Sequence, residues 1–148
     1  MSGRVLANVT GVVIEGRALL IDGPPGSGKS SLGLSLIDRG ATLIGDDAVC
    51  IADERGTLVA SPPPNTAGLF EIRNVGLVEL PVAKGPVSLI LALDPAAPRF
   101  PVDIGSHTIA AATVPVLPFA PGDAAQALRA EHALRQHGLP LPKRRQKA

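Results

Sequence analysis

Residues 23–47 read GPPGSGKSSLGLSLIDRGATLIGDD, and the order of signals in this run decides the fold class. The opening GPPGSGKS fits the G-x-x-x-x-G-K-[ST] pattern of a phosphate-binding loop. Glycines at 23, 26 and 28 let backbone N–H groups turn inward around phosphate oxygens, helped by the positive end of the helix behind them. In that reading Gly23, Pro24, Pro25, Gly26, Ser27, Gly28, Lys29, Ser30 and Ser31 form a nucleotide cradle. Lys29 reaches the β- and γ-phosphates, and Ser30 holds Mg2+. The pattern carries weight only between a strand and a helix. Residues 18–21 (ALLI) supply the strand. Leu32, Gly33, Leu36 and Ile37 recur at helical spacing over about 29–39, with Gly40 where a C-terminal cap belongs.

The run ends on two adjacent acids, Asp46 and Asp47, one helix and one short strand (41–45) after the lysine. An ordinary surface turn would account for them. Behind an intact phosphate loop they are better read as functional, because phosphoryl transfer to a hydroxyl needs positioning, a cation and one carboxylate to take the proton. On an extended backbone their side chains would point in opposite directions, one toward the phosphate site. A rival acid, Asp94, closes the apolar strand LILALD, the place where a motor-type ATPase or GTPase would put its metal-binding residue. The N-K-x-D guanine clamp of a GTPase does not occur, and Asp94 is read as a strand-terminal acid of the sheet.

Outward from this centre, residues 9–14 and 18–21 read as strands joined by a turn at 15–17. Residues 48–52 and 57–60 flank a hairpin turn at 53–56. Residues 61–65 (SPPPN) must be a loop, since three successive prolines neither join a ladder nor continue a helix. Residues 87–93 form an apolar strand, 95–121 are proline-rich with short extended pieces, and 124–136 form the last helix, with Gly138 behind it. Strands outnumber helices. The expectation is an α/β domain with a mixed P-loop-containing sheet and flanking helices, spanning 1–142.

Composition narrows the function. The chain has 148 residues, 45% of them hydrophobic, enough for a core. No apolar run spans a bilayer, no signal-peptide layout opens the chain, and one cysteine, Cys50, suits a reducing cytoplasm. The net charge of +1 hides a split: Lys143, Arg144, Arg145 and Lys147 form a basic tail over 143–148, read as solvated and disordered. Without that tail the chain is acidic, and with no Trp or Tyr it offers nucleic acid neither a basic face nor a stacking platform. The expected partners therefore include no nucleic acid and no membrane. His107, His132 and His137 are scattered without ligand spacing, and Cys50 reads as a buried thiol.

The run from Gly23 through Asp47, together with LFEIRNVGLVEL at 69–80, resembles the catalytic domain of the bacterial HPr kinase/phosphorylase family. That family carries a P-loop, a helix ending in I-x-R-G, a paired-aspartate strand and a later L-E-I-R-G-x-G signature. The resemblance runs from about residue 5 to 85 and more loosely to 139. It covers the catalytic domain alone, as in the short alphaproteobacterial forms. It implies an HPr kinase/phosphoenolpyruvate carboxykinase-like fold, ATP and Mg2+ as cofactors, an HPr-like phosphocarrier as protein partner, and a homo-oligomer, hexameric in the family. By the resemblance Lys29, Asp46 and Asp47 are catalytic, with Asp46 the base toward the acceptor serine. Ser30, Asp47 and Glu71 hold metal, and Arg73 is the basic member of the signature. The implied activity is an ATP-dependent protein-serine kinase, with phosphorolysis as its reverse, regulating a phosphotransferase system.

Three positions depart from the family pattern. The signature glycine is Asn74, the histidine ahead of the first strand is Asn8, and the arginine of a P-G-R-N-like loop is Asp123. An acid in place of a cation near phosphate favours the forward reaction over phosphorolysis. Two other readings stay open on the residues alone: a small-molecule P-loop kinase, and an ATP-binding regulator with weak turnover.

Overall fold

The computed structural model describes residues 3–101 and 103–142; the basic tail expected at 143–148 lies outside them. Two bent strands set the shape of the sheet. Strand β1 (Arg4–Ala7) turns into β2 (Val9–Ile14) at Asn8, and β4 (Thr42–Gly45) turns into β5 (Ala48–Glu54) through Asp46 and Asp47. Asn8 and Asp47 both take left-handed backbone, with φ of 64° and 65°. Asn and Asp tolerate that region far better than branched residues do. The two corners meet, since the Asn8 N–H donates to the Asp47 carbonyl at 2.8 Å. Beyond them β1 pairs antiparallel with β5, and β2 with β4. Both strands thus turn at the same point and the sheet curls with them.

The remaining strands fill the curl. β3 (Arg17–Asp22) returns from β2 through Glu15 and Gly16, with φ of 52° and 82°, a two-residue turn of the primed type that suits the twist of a hairpin. β6 (Thr57–Ser61) returns from β5 through Arg55 and Gly56 in the same way. β9 (Gly85–Leu93) lies parallel to β3 and meets β6 with its first residues. The sheet runs β1-β5-β6-β9-β3-β2-β4, with β11 (Ala112–Phe119) parallel to β9 and β10 (Gly105–Ile109) paired to β11. β7 (Leu69–Ile72) and β8 (Gly76–Glu79) form a separate hairpin.

Helices α1 (Lys29–Asp38) and α2 (Gln126–His137) cover one face of the parallel part. Leu32 and Leu36 of α1, and Ala130 and Leu134 of α2, pack there with Leu19, Ile21, Leu89 and Leu91. A second core inside the curl joins Leu20, Ile44, Val49, Ile51 and Ile90. β9 is apolar almost throughout because it is buried on both faces, as parallel strands are. α1 stops as its sequence requires. Gly40 (φ 112°) donates to the Ile37 carbonyl and Ala41 to that of Leu36, the bond pair of a Schellman cap.

The mixed α/β class is as expected, and three details differ. A strand precedes residue 9, residues 68–80 form a hairpin, and the proline-rich stretch contains the eight-residue β11 with Pro115 and Pro118 inside it. Residues 112–115 of β11 pair only with β10 and residues 117–119 only with β9, with Val116 paired to both, which leaves an open side for each proline nitrogen.

Candidate functional site

The parallel strands β3, β9 and β11 end together: Asp22 lies opposite Ala92, and Leu93 opposite Phe119. The carboxyl ends of such strands are where α/β sheets leave a crevice for ligands. The loop of residues 23–28 starts there. Asp22 Oδ1 accepts from the Gly23 N–H at 2.9 Å and ties down the entry. Gly26 and Gly28 have φ of 78° and 106°, backbone that a side chain would strain. A Cβ on Gly23 would fall 2.6 Å from Ser27 Oγ and 3.2 Å from the Leu93 Cβ, so only glycine fits that exit from the sheet.

Three observations suit the loop to phosphate. The N-terminus of α1 has no side-chain cap and no acid in its first turn, so its dipole and free N–H groups are unopposed. Ser27 Oγ is buried with no hydrogen-bond partner, a costly arrangement unless a ligand satisfies it. Lys29 is buried at 8% exposure, its ammonium donating to the carbonyls of Gly23 at 2.6 Å and Pro24 at 3.2 Å. Lys29 therefore also braces the loop, in addition to the role expected from the motif. Pro24, Pro25 and Ser31 are exposed along the rim.

Asp46 is the acid at this loop. Its Oδ1 accepts from Ser30 Oγ at 2.7 Å and from Thr10 Oγ1 at 3.0 Å. Thr10, on β2, is fully buried. A Cβ on Gly33 would come within 2.9 Å of the Thr10 methyl, so this glycine lets α1 lie close enough to β2 for the three polar groups to meet. Gly45 is required as well, because a Cβ there would collide with the Ala48 carbonyl across the tight bend that holds Asp46. A hydroxyl has one hydrogen: donated to Asp46, it turns the Ser30 lone pairs away from the carboxylate, toward where a cation would sit.

Asp47 differs from expectation. With φ of 65° it occupies a turn, not extended backbone, so the rule of opposite side-chain directions does not apply to the pair. It is exposed, and only its carbonyl is engaged, by Asn8. Glu71 and Arg73 stand exposed on the β7–β8 hairpin, and no hydrogen bond or ion pair among the described residues joins them to Ser30, Asp46 or Asp47. No three His, Cys, Asp or Glu side chains among the described residues gather into a metal cluster. Mg2+ in phosphoryl-transfer sites does not need one, being held by one or two carboxylates together with phosphate oxygens and water. Asp94 caps its own turn, accepting from the Ala96 N–H at 2.9 Å. Cys50, expected to be buried, is half-buried on β5.

Of the departures, Asn74 sits at φ 68°, so it reproduces the backbone a glycine would take there. Asp123 does not stand as a bare carboxylate. Its Oδ1 accepts from the Ala125 N–H at 3.0 Å and from Arg129 Nη2 at 3.2 Å. Its loop lies beside the phosphate loop, with Pro121 3.8 Å from where a Gly28 Cβ would be. Sequence reading missed Thr10 and Arg129, which sit far from the motif along the chain and are joined to it only by folding.

Residues 4–89 match the family model described as HPr Serine kinase C-terminal domain. HPr kinase/phosphorylase of Clostridium botulinum (strain Eklund 17B / Type B) is 45% identical over 69 residues, 47% of this chain and 23% of that protein. The Clostridium tetani HPr kinase/phosphorylase is 40% identical over 82 residues, 54% of this chain and 27% of the relative. The matched segment thus spans about a quarter of the length of these curated relatives. The structure of the Hpr(Ser) kinase/phosphatase from Coxiella burnetii superposes with a TM-score of 0.79 at 27% identity, over 90% of this chain and 95% of that one.

Proposed function

The chain belongs to the HPr serine kinase C-terminal domain family, and from that premise we propose that it is the catalytic domain of an ATP-dependent protein-serine kinase acting on an HPr-like phosphocarrier. The observation that carries the reading is the Ser30–Asp46 contact at 2.7 Å, made at the mouth of a phosphate loop whose helix end is uncapped. Bound Mg-ATP supplies the phosphoryl group and the cation that offsets its charge. The loop amides and Ser27 Oγ bind the phosphates. Lys29 exchanges its two loop carbonyls for phosphate oxygens. Ser30, its hydrogen committed to Asp46, presents lone pairs to Mg2+, and exposed Asp47 supports the same cation.

Asp46 serves as base. Thr10 and Ser30 hold Oδ1, while no hydrogen bond from a described residue reaches Oδ2. As the acceptor serine oxygen bonds to phosphorus, its proton passes to this free oxygen and the bond to ADP breaks. Glu71 and Arg73, on the exposed hairpin, are in reach of solvent and of an incoming protein.

The test is incubation with γ-labelled ATP, Mg2+ and a purified HPr-like phosphocarrier, followed by mapping of the labelled residue. Label is expected on one serine, and Lys29→Ala is expected to abolish it. Label that resists Lys29→Ala, or no label on the carrier, would overturn the proposal.

A further inference from the structure

A cavity of about 780 Å³ opens beside the phosphate loop, within the size range of small-molecule sites. It is lined by the segment after β9, including Arg99 and Phe100, by the end of β11 with Phe119 and Pro121, and by Arg129 of α2. Pro121 joins it to the loop, since the same residue lies 3.8 Å from where a Gly28 Cβ would be. We propose that this cavity takes the base of the nucleotide whose phosphates the loop binds, with the base stacked between Phe100 and the guanidinium of Arg129.

The sheet order supports this direction. Asp46 and the cation side of the site lie on the β2–β4 flank of β3, while the cavity lies at the ends of β9 and β11 on the opposite flank. A nucleotide with its terminal phosphate toward Asp46 and its chain along the loop extends its base to the β9–β11 side. Two flat surfaces wait there. The Arg129 guanidinium lies over the Phe119 ring at 4.5 Å, held by the Ala120 carbonyl at 2.7 Å and by Asp123, and its Nε is buried without a partner. Phe100 is 73% exposed, which leaves its ring open to a ligand. Arg99 packs over that ring at 5.9 Å. Guanidinium planes and phenyl rings are the surfaces on which bases stack.

The inference rests on the nucleotide reading above, and inorganic tripolyphosphate separates the two. The chain contains no Trp, so Phe100→Trp introduces a single fluorophore at the cavity. Its emission is expected to be quenched by Mg-ATP and not by Mg-tripolyphosphate. Phe100→Ala, at an exposed position, is expected to weaken Mg-ATP binding by roughly tenfold and to leave tripolyphosphate binding unchanged. If Phe100→Ala binds Mg-ATP as tightly as the parent while both ligands need Lys29, the base pocket is wrong and the phosphate site stands. Should the parent bind neither ligand, both proposals fall together. Equal quenching by both ligands would also overturn the pocket, since it would report loop movement and not stacking.

Discussion

At the scale of single residues, one oxygen of Asp46 does two jobs. It orients the Ser30 hydroxyl and is itself oriented by buried Thr10. Asp46→Asn keeps an acceptor oxygen for both donors but cannot take a proton. Transfer to the carrier should fall by about 10²–10⁴-fold, while Mg-ATP binding, read by calorimetry, changes much less. An Asp46→Asn enzyme with near-parental turnover would assign the base to another residue. Thr10→Val removes one donor at nearly constant volume, at a cost of about 1 kcal/mol in unfolding free energy. As a positioning change it should lower turnover with little change in the KM for ATP, and Thr10→Ser should restore most of the rate. Asp123→Arg is not the simple gain of a cation that the sequence suggests. It deletes the acceptor for the Ala125 N–H and faces Arg129 with a like charge, so it should lower thermal stability.

Among elements, the hairpins show how turn chemistry and strand pairing share control. Glu15-Gly16 and Arg55-Gly56 put glycine at the second left-handed position, and both turns were readable. β10 and β11 use Ala110 and Ala111 at φ of 48° and 69°, where alanine is strained and carries no turn signal. Pairing of Ile109 with Ala112, and burial of both, impose that turn from outside. Replacing the pair with Asn-Gly should stabilise the protein by about 1 kcal/mol or more, seen as a higher melting temperature. Loss of stability would mean that the alanine methyls pack against something that offsets their strain.

For the whole molecule, Arg39, at the C-terminal cap of α1, is tied to α2 across 92 residues of sequence. Glu131 of α2 is buried at 7% exposure and accepts from Arg39 Nε through both oxygens at 3.0 Å. That hydrogen bond, with the attraction of the two charges, holds the Arg39 guanidinium above its ordinary pKa. Arg39→Met leaves a buried carboxylate without its partner and should lower the melting temperature. In the double variant Arg39→Met, Glu131→Met much of the loss should return, because the cost lies in the orphaned charge. If the single and double variants melt alike, the pair contributes nothing through charge.

By itself the sequence determined the local order of the chain: strand, glycine loop and helix at 18–39, the Schellman stop at Gly40, two of the primed turns and the apolar β9. These are written in short-range signals, where backbone freedom, missing N–H groups and hydrophobic spacing act within a few residues. It also carried the glycine loop that we propose binds nucleotide and the proposed base Asp46, since the motif is contiguous and its acid follows one helix later. Only the tertiary structure decided which acid meets Ser30, because that depends on the left-handed corners at Asn8 and Asp47 and on the close approach that Gly33 permits. The same holds for the proline-bearing β11 and for the gathering of Phe100, Phe119 and Arg129 at one cavity. Such contacts join residues distant along the chain, and their energy exists only once the sheet has curled.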